Sequence, residues 1–320
     1  MSRVAVPFES SPAAKSADSR PLIDPATLMS IKNLELRARV VVEGFWHGMH
    51  RSPYHGFSVQ FTEYRQYSPG DDPRYLDWKL YARSDRYYIK KFEDETNLRC
   101  HLMLDQSRSM SYGSLSYTKA QYANTLAATL AYFLSMQGDA VGLLTFDERI
   151  RDYLPARHRP GHLRNLMIRL EQPAAGNATD LSAPLHRIVQ TVKKRSLLVL
   201  ISDLLGPIGA LEKDLTALAA CGHEVILFHL LDPAELTLSF EKAVMFRDVE
   251  TGRQIFIDPV TARKGYVQKL EAHNQNIQAA CSRLGIGYRR LTTDQPLEFA
   301  LFDFLRERMQ RGKRIRRRAR

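Results

Sequence analysis

Cys100-His101-Leu102-Met103-Leu104-Asp105-Gln106-Ser107-Arg108-Ser109-Met110 is an apolar run of strand length that stops at an aspartate and continues as Asp-x-Ser-x-Ser. A carboxylate that terminates an apolar strand has to be solvated, paired or bound to a cation, because an unpaired buried charge is costly. The pattern recurs at Leu198-Val199-Leu200-Ile201-Ser202-Asp203, a second buried strand that ends in an aspartate. Between them, Gly176-Asn177-Ala178-Thr179-Asp180-Leu181 reads as a Gly/Asn loop that sets Thr179 just ahead of a helix.

Outward from these segments, short apolar runs alternate with amphipathic helical stretches. The runs predict strands at Cys100–Leu104, Ala140–Phe146, Leu197–Ser202, Glu224–Leu230 and Gly287–Leu291. The stretches predict helices at Thr118–Gln137, Pro160–Glu171, Leu181–Lys193, Gly209–Cys221, Ala262–Leu284 and Pro296–Arg311. That succession demands a doubly wound, mostly parallel α/β sheet covered on both faces. Phe246 to Phe256 reads as an inserted β-hairpin turning at Thr251-Gly252. In such sheets ligands bind beyond the carboxyl ends of the strands, where Asp105, Ser107, Ser109, Thr179 and Asp203 are all expected.

Two carboxylates and three hydroxyls invite a hard cation. Mg²⁺ prefers octahedral oxygen coordination and keeps waters readily, so this donor set suits it, with Mn²⁺ or Ca²⁺ as substitutes. Zinc would call for Cys or His, and neither stands in these loops. Two aspartates balance Mg²⁺ and leave it able to recruit a carboxylate from another molecule. The competing reading makes Ser107 and Ser109 helix caps and places the aspartates in salt bridges. The constellation resembles the metal-ion-dependent adhesion site of von Willebrand factor A domains, a match over roughly residues 98–311 with all five ligand positions filled. The resemblance implies that the serines coordinate directly, that Thr179 and the aspartates bind directly or through water, and that an acidic group of a protein partner completes the sphere.

Composition bounds the rest. At 320 residues, with 44% hydrophobic and 25% charged residues, the chain has material for one large domain and an accessory. No run approaches the roughly 18 apolar residues of a membrane span. Residues 1–24 are rich in Ser, Pro and Ala without the apolar middle of a secretory signal, so a cytoplasmic protein with a disordered leader is expected. Cys100, Cys221 and Cys281 read as buried thiols. The net charge of +11 is concentrated at the end: Arg306–Arg320 holds nine Lys/Arg against one Glu. Such a tail could bind nucleic acid, an anionic membrane or an acidic protein, and like-charge blocks are most often solvated.

Pro25 to Val42 has helical apolar spacing, and residues 25–97 read as this helix plus a small β-rich appendage, ahead of a domain over 98–305 and a basic tail over 306–320. Within the appendage, Phe57–Phe61 and Tyr87–Phe92 are strand-like around the turn cluster Ser68-Pro69-Gly70-Asp71-Asp72-Pro73. Gly56-Phe57-Ser58-Val59-Gln60-Phe61, then Glu63-Tyr64-Arg65-Gln66-Tyr67-Ser68-Pro69-Gly70-Asp71-Asp72-Pro73-Arg74-Tyr75-Leu76-Asp77-Trp78-Lys79 and Ala82-Arg83, resembles the bacterial "domain of unknown function 58" proteins over most of residues 44–205. That resemblance implies an adaptor working with a MoxR-type AAA+ ATPase in complex assembly or maturation. Two other functions compete with a non-catalytic binding module: a Mg²⁺-dependent phosphohydrolase, which would want a nucleophilic or second acidic residue at position 107, where Ser107 stands, and nucleic-acid binding through the tail.

Overall fold

The structure, a computed structural model, describes residues 22–51, 63–66, 88–91, 98–172, 181–238, 244–247 and 254–318. Helices α1 (Pro25–Met29) and α2 (Leu34–Arg51) come first, then the antiparallel pair β1 (Glu63–Gln66) and β2 (Tyr88–Lys91). The succession β3 (Arg99–Asp105), α3 (Lys119–Met136), β4 (Ala140–Phe146), β5 (Ile150–Arg157), α4 (His162–Leu170) and α5 (Ser182–Thr191) follows. It continues through β6 (Leu197–Ser202), α6 (Ile208–Ala220), β7 (Glu224–Leu231), α7 (Pro233–Thr237), the hairpin strands β8 (Val244–Arg247) and β9 (Gln254–Ile257), α8 (Pro259–Leu284), β10 (Gly287–Thr292) and α9 (Leu297–Arg318).

The apolar runs pair as a six-stranded sheet in the order β10-β7-β6-β3-β4-β5, parallel except for β5. This is the doubly wound, mostly parallel α/β class expected from the sequence. Side chains alternate across β3: Leu102 and Leu104 enter one core with α2, α3, α4 and α9, while Met103 enters the other with α5, α6 and α8. Each fully buried Leu or Met contributes on the order of 1.5–3 kcal/mol by leaving water. Burial on both faces explains why these strands carry continuous rather than alternating apolar runs.

Five features differ from the expectations. The helix expected over 25–42 is two helices, because Ser30 Oγ donates to the Thr27 carbonyl at 2.6 Å and Asn33 Oδ1 accepts from the Leu36 N–H at 2.7 Å, ending one helix and starting the next. Both helices pack into the core under α3 and α9, where Phe45 stands 6.2 Å from Phe133 and 4.6 Å from Phe302 between ring centres. The last helix continues to Arg318 through the basic stretch instead of stopping at Arg311. Cys221, at the C-cap of α6, is exposed and not buried, while Cys100 and Cys281 are buried. The edge strand β5 and the short α7 were not foreseen: β5 is half-exposed and mixes charges with Pro155, so it has no apolar run to announce it. Opposite its bulge, a Cβ on Gly142 would lie 2.7 Å from Ala156 N and 2.8 Å from Leu154 O, so the strand approach requires glycine there. The Thr251-Gly252 turn, the Ser68–Pro73 cluster and Phe57–Phe61 lie outside the described residues.

Candidate metal centre

Parallel register brings the carboxyl ends of β3 and β6 side by side, with Leu104 opposite Ile201. Asp105, the last residue of β3, and Asp203, just beyond β6, are both fully buried. The Asp105 carboxylate is held on both oxygens: Oδ1 accepts the Ser107 N–H at 2.8 Å, and Oδ2 accepts the Ser202 hydroxyl at 2.6 Å. Ser107 and Ser109 lie on one side of the turn, their Oγ atoms 3.0 Å apart. Ser107 is buried, whereas Ser109 is partly exposed and forms the rim. Four of the five expected ligands are therefore gathered at one edge. Thr179 lies outside the described residues, in the segment 173–180.

The capping reading of the serines is only partly right. Ser107 does precede a 3₁₀ turn at Arg108–Ser111, but its hydroxyl makes no capping hydrogen bond. The salt-bridge reading of the aspartates holds for one oxygen of one of them: Lys119 Nζ donates to Asp203 Oδ2 at 2.9 Å and to Glu235 Oε1 at 2.6 Å. Lys119 opens α3 after the Thr118–Gln121 capping box, and its side chain is fully buried. Burial pulls its ammonium down in pKa, but Asp203 and Glu235 more than offset this and hold it above its usual value. Glu235 is itself fixed, since its Oε2 accepts the Asp232 N–H at 2.8 Å in the capping box of α7.

Asp203 Oδ1 is buried and has no hydrogen-bond partner among the described residues. Burial, and then the charge of the Asp203 carboxylate, push Asp105 up to about 7, against the hydrogen bonds from Ser202 and Ser107. Two buried carboxylates that repel each other, one with an open oxygen, fit a hard dication. With every carboxylate ionised, Asp105, Asp203 and Glu235 against Lys119 leave a formal excess of two negative charges. The remaining donors are hydroxyls; no group of three or more His, Cys, Asp or Glu suited to a metal occurs among the described residues.

Behind the site, His229 Nε2 contacts the Asp203 carbonyl at 2.8 Å and Nδ1 contacts the Tyr288 hydroxyl at 2.9 Å. Burial lowers His229 to about 4, so it is neutral; Nε2–H donates to the carbonyl and Nδ1 accepts from the tyrosine. Leu204 follows with a left-handed φ of +50°, its N–H donating to Ser202 Oγ at 3.1 Å and its carbonyl 2.9 Å from His273 Nε2. This cost in backbone energy is borne where the chain must turn sharply off β6. Lys119, Ser202, His229 and Glu235 were all missed from the sequence. The Asp232-Pro233-Ala234-Glu235 capping box was the one local signal that could have marked Glu235.

Comparison with known proteins places these features in context. The family model described as "Protein of unknown function DUF58" matches residues 63–315. The uncharacterized protein Rv1480 of Mycobacterium tuberculosis is 30% identical over 278 residues, covering 85% of this chain and 86% of that one. The uncharacterized protein MAV169 of Mycobacterium avium is 29% identical over 141 residues, 43% of this chain and 82% of that protein. Among solved structures, the conserved hypothetical protein BatB from Bacteroides thetaiotaomicron aligns with a TM-score of 0.46 at 16% identity, over 66% of this chain and 99% of that one. The SpRpn10 VWA domain aligns with a TM-score of 0.38 at 15% identity, over 64% of this chain and 94% of that domain.

Proposed function

Since this chain belongs to the DUF58 family and has a von Willebrand factor A-like α/β fold, we propose that it is a non-catalytic adaptor that captures a protein partner through a Mg²⁺ ion. Asp105, Ser107, Ser109 and Asp203 would hold the ion, joined by Thr179 from the loop ahead of α5. When bound, the ion offers a coordination position to an acidic side chain of the partner. The chain's own residues prepare for it: Ser202 and the Ser107 N–H orient Asp105, Lys119 and the His229–carbonyl contact orient Asp203, and Ser109 marks the open side. The observation that carries the reading is the buried Asp203 Oδ1, without a hydrogen-bond partner among the described residues, in a site whose second buried carboxylate, Asp105, is raised by the Asp203 charge.

A MoxR-type AAA+ ATPase is the partner class that the sequence resemblance favours, and a cytoplasmic location follows from the same reading. No helix among the described residues is long and apolar enough to cross a membrane. For the hydrolase alternative a base would be wanted at the edge, and both nitrogens of the neighbouring imidazole, His229, are engaged. Titration calorimetry with Mg²⁺ on the wild type and Asp105→Asn, paired with capture of a purified MoxR-type ATPase in Mg²⁺ or chelator, tests the proposal. Binding and capture lost together in the variant and in chelator are expected. Capture that is indifferent to both would overturn it.

A further inference from the structure

Lys119 is a cation built into a site whose other features call for a cation. Its ammonium touches Asp203 Oδ2 and no atom of Asp105, and it is clamped from behind by Glu235 and flanked by the Tyr112 ring, 5.9 Å away. Glu235 cannot readily release it, because that carboxylate also accepts the Asp232 N–H inside the α7 capping box. The two oxygens of Asp203 are thereby made unequal. One carries a positive charge at hydrogen-bond distance, which repels a dication, and the other is open.

From this asymmetry we infer that Lys119 determines which metal the site accepts, by confining Asp203 to a single coordinating oxygen. The inference rests on the metal-binding reading above and adds selectivity to it. Mg²⁺ takes six oxygens at about 2.0–2.1 Å in near-ideal octahedral geometry, for which one oxygen per carboxylate suffices; Ca²⁺ takes six to eight at about 2.3–2.6 Å and gains from bidentate carboxylates. Asp105 is poorly placed to make up the difference by bidentate binding, since a hydrogen bond on each oxygen takes one lone pair and fixes the carboxylate's orientation. The site therefore favours the smaller ion. Lys119 is a positioning residue in this scheme: it acts on the metal through Asp203.

The test is calorimetric titration of the chelator-treated full chain with Mg²⁺ alone and Ca²⁺ alone. The proteins are the wild type, Lys119→Arg, Glu235→Gln and the double variant Lys119→Met/Glu235→Met, which replaces the buried pair by apolar groups of similar size and keeps the core filled. The wild type is expected to prefer Mg²⁺. The double variant should shift the Mg²⁺-to-Ca²⁺ affinity ratio toward Ca²⁺ by about tenfold or more, Glu235→Gln by less, and Lys119→Arg should keep the preference. A merely structural lysine would lower both affinities and leave their ratio alone, and that result overturns the inference while sparing the metal site. A wild type that binds neither ion overturns both. Should the double variant fail to fold, an unchanged ratio in Glu235→Gln decides against the inference and a shifted one in its favour.

Discussion

Four strands of the sheet, β3, β4, β6 and β7, deliver an aspartate to the same edge: Asp105, Asp147, Asp203 and Asp232, each fully buried. Their surroundings divide them. Asp147 is satisfied by its own turn, accepting the Arg149 N–H at 2.9 Å and Arg151 Nε at 2.8 Å. Asp232 caps α7 through the Ala234 N–H at 2.9 Å and ties down the loop before α3 through Ser114, whose N–H and hydroxyl reach it at 2.9 and 2.6 Å. At the centre of the sheet the supply of local donors thins out: among the described residues, Asp105 takes one from its own turn and one from Ser202, and the Asp203 carboxylate takes only the distant Lys119. An aspartate at a strand end is thus not a metal ligand by position. What distinguishes the central pair is that the two buried carboxylates repel each other with few donors among the described residues, so the unmet demand is for positive charge.

The sharpest way to break this contrast is to neutralise one aspartate of each kind. Asp203→Asn should weaken Mg²⁺ binding by about a hundredfold or more, whereas Asp147→Asn should leave it unchanged and only loosen the β4–β5 turn. Calorimetry on both variants reads the difference; equal losses would mean that edge position, not local satisfaction, matters. A second measurement exploits protons as competitors. Asp105 is raised to about 7 in the folded chain from about 3.9 when unfolded, so its stabilising contribution is complete below about pH 4 and is lost as pH rises through about 7. In chelator, the denaturant midpoint should therefore fall between about pH 5 and about pH 8, and saturating Mg²⁺ should offset that fall by occupying the ionised form. A midpoint insensitive to Mg²⁺ at the higher pH would remove the central pair from consideration. The smallest effect is expected from Ser202→Ala, which leaves Asp105 Oδ2 without its donor and should cost about 1–2 kcal/mol in urea unfolding.

The sheet was legible because its strands are buried on both faces, which writes an uninterrupted apolar run such as Leu198–Ile201 into the chain. Ala140–Phe146 and Leu197–Ser202 coincide with observed strands, residue for residue. The strand β5 was not legible, since an outer strand owes its place to pairing with β4 and not to its own pattern. In the same way, Asp105, Ser107 and Ser109 announce themselves by spacing, while Lys119 and Glu235 meet Asp203 only once α3 and α7 are packed against the sheet. A lysine after a helix cap looks like any solvated residue in sequence. Nothing local to Lys119 says that its long stem runs inward to a carboxylate 84 positions away.

The outer rims of the sheet have a consequence for self-association. On one rim β5 carries Pro155, which has no N–H to offer, together with Arg151, Asp152 and register shifts against β4; on the other, β10 carries Arg289 and Arg290. Neither rim is a ready template onto which a second copy could add its strand, and charges, proline and bulges are the devices by which open sheets resist ribbon-like growth.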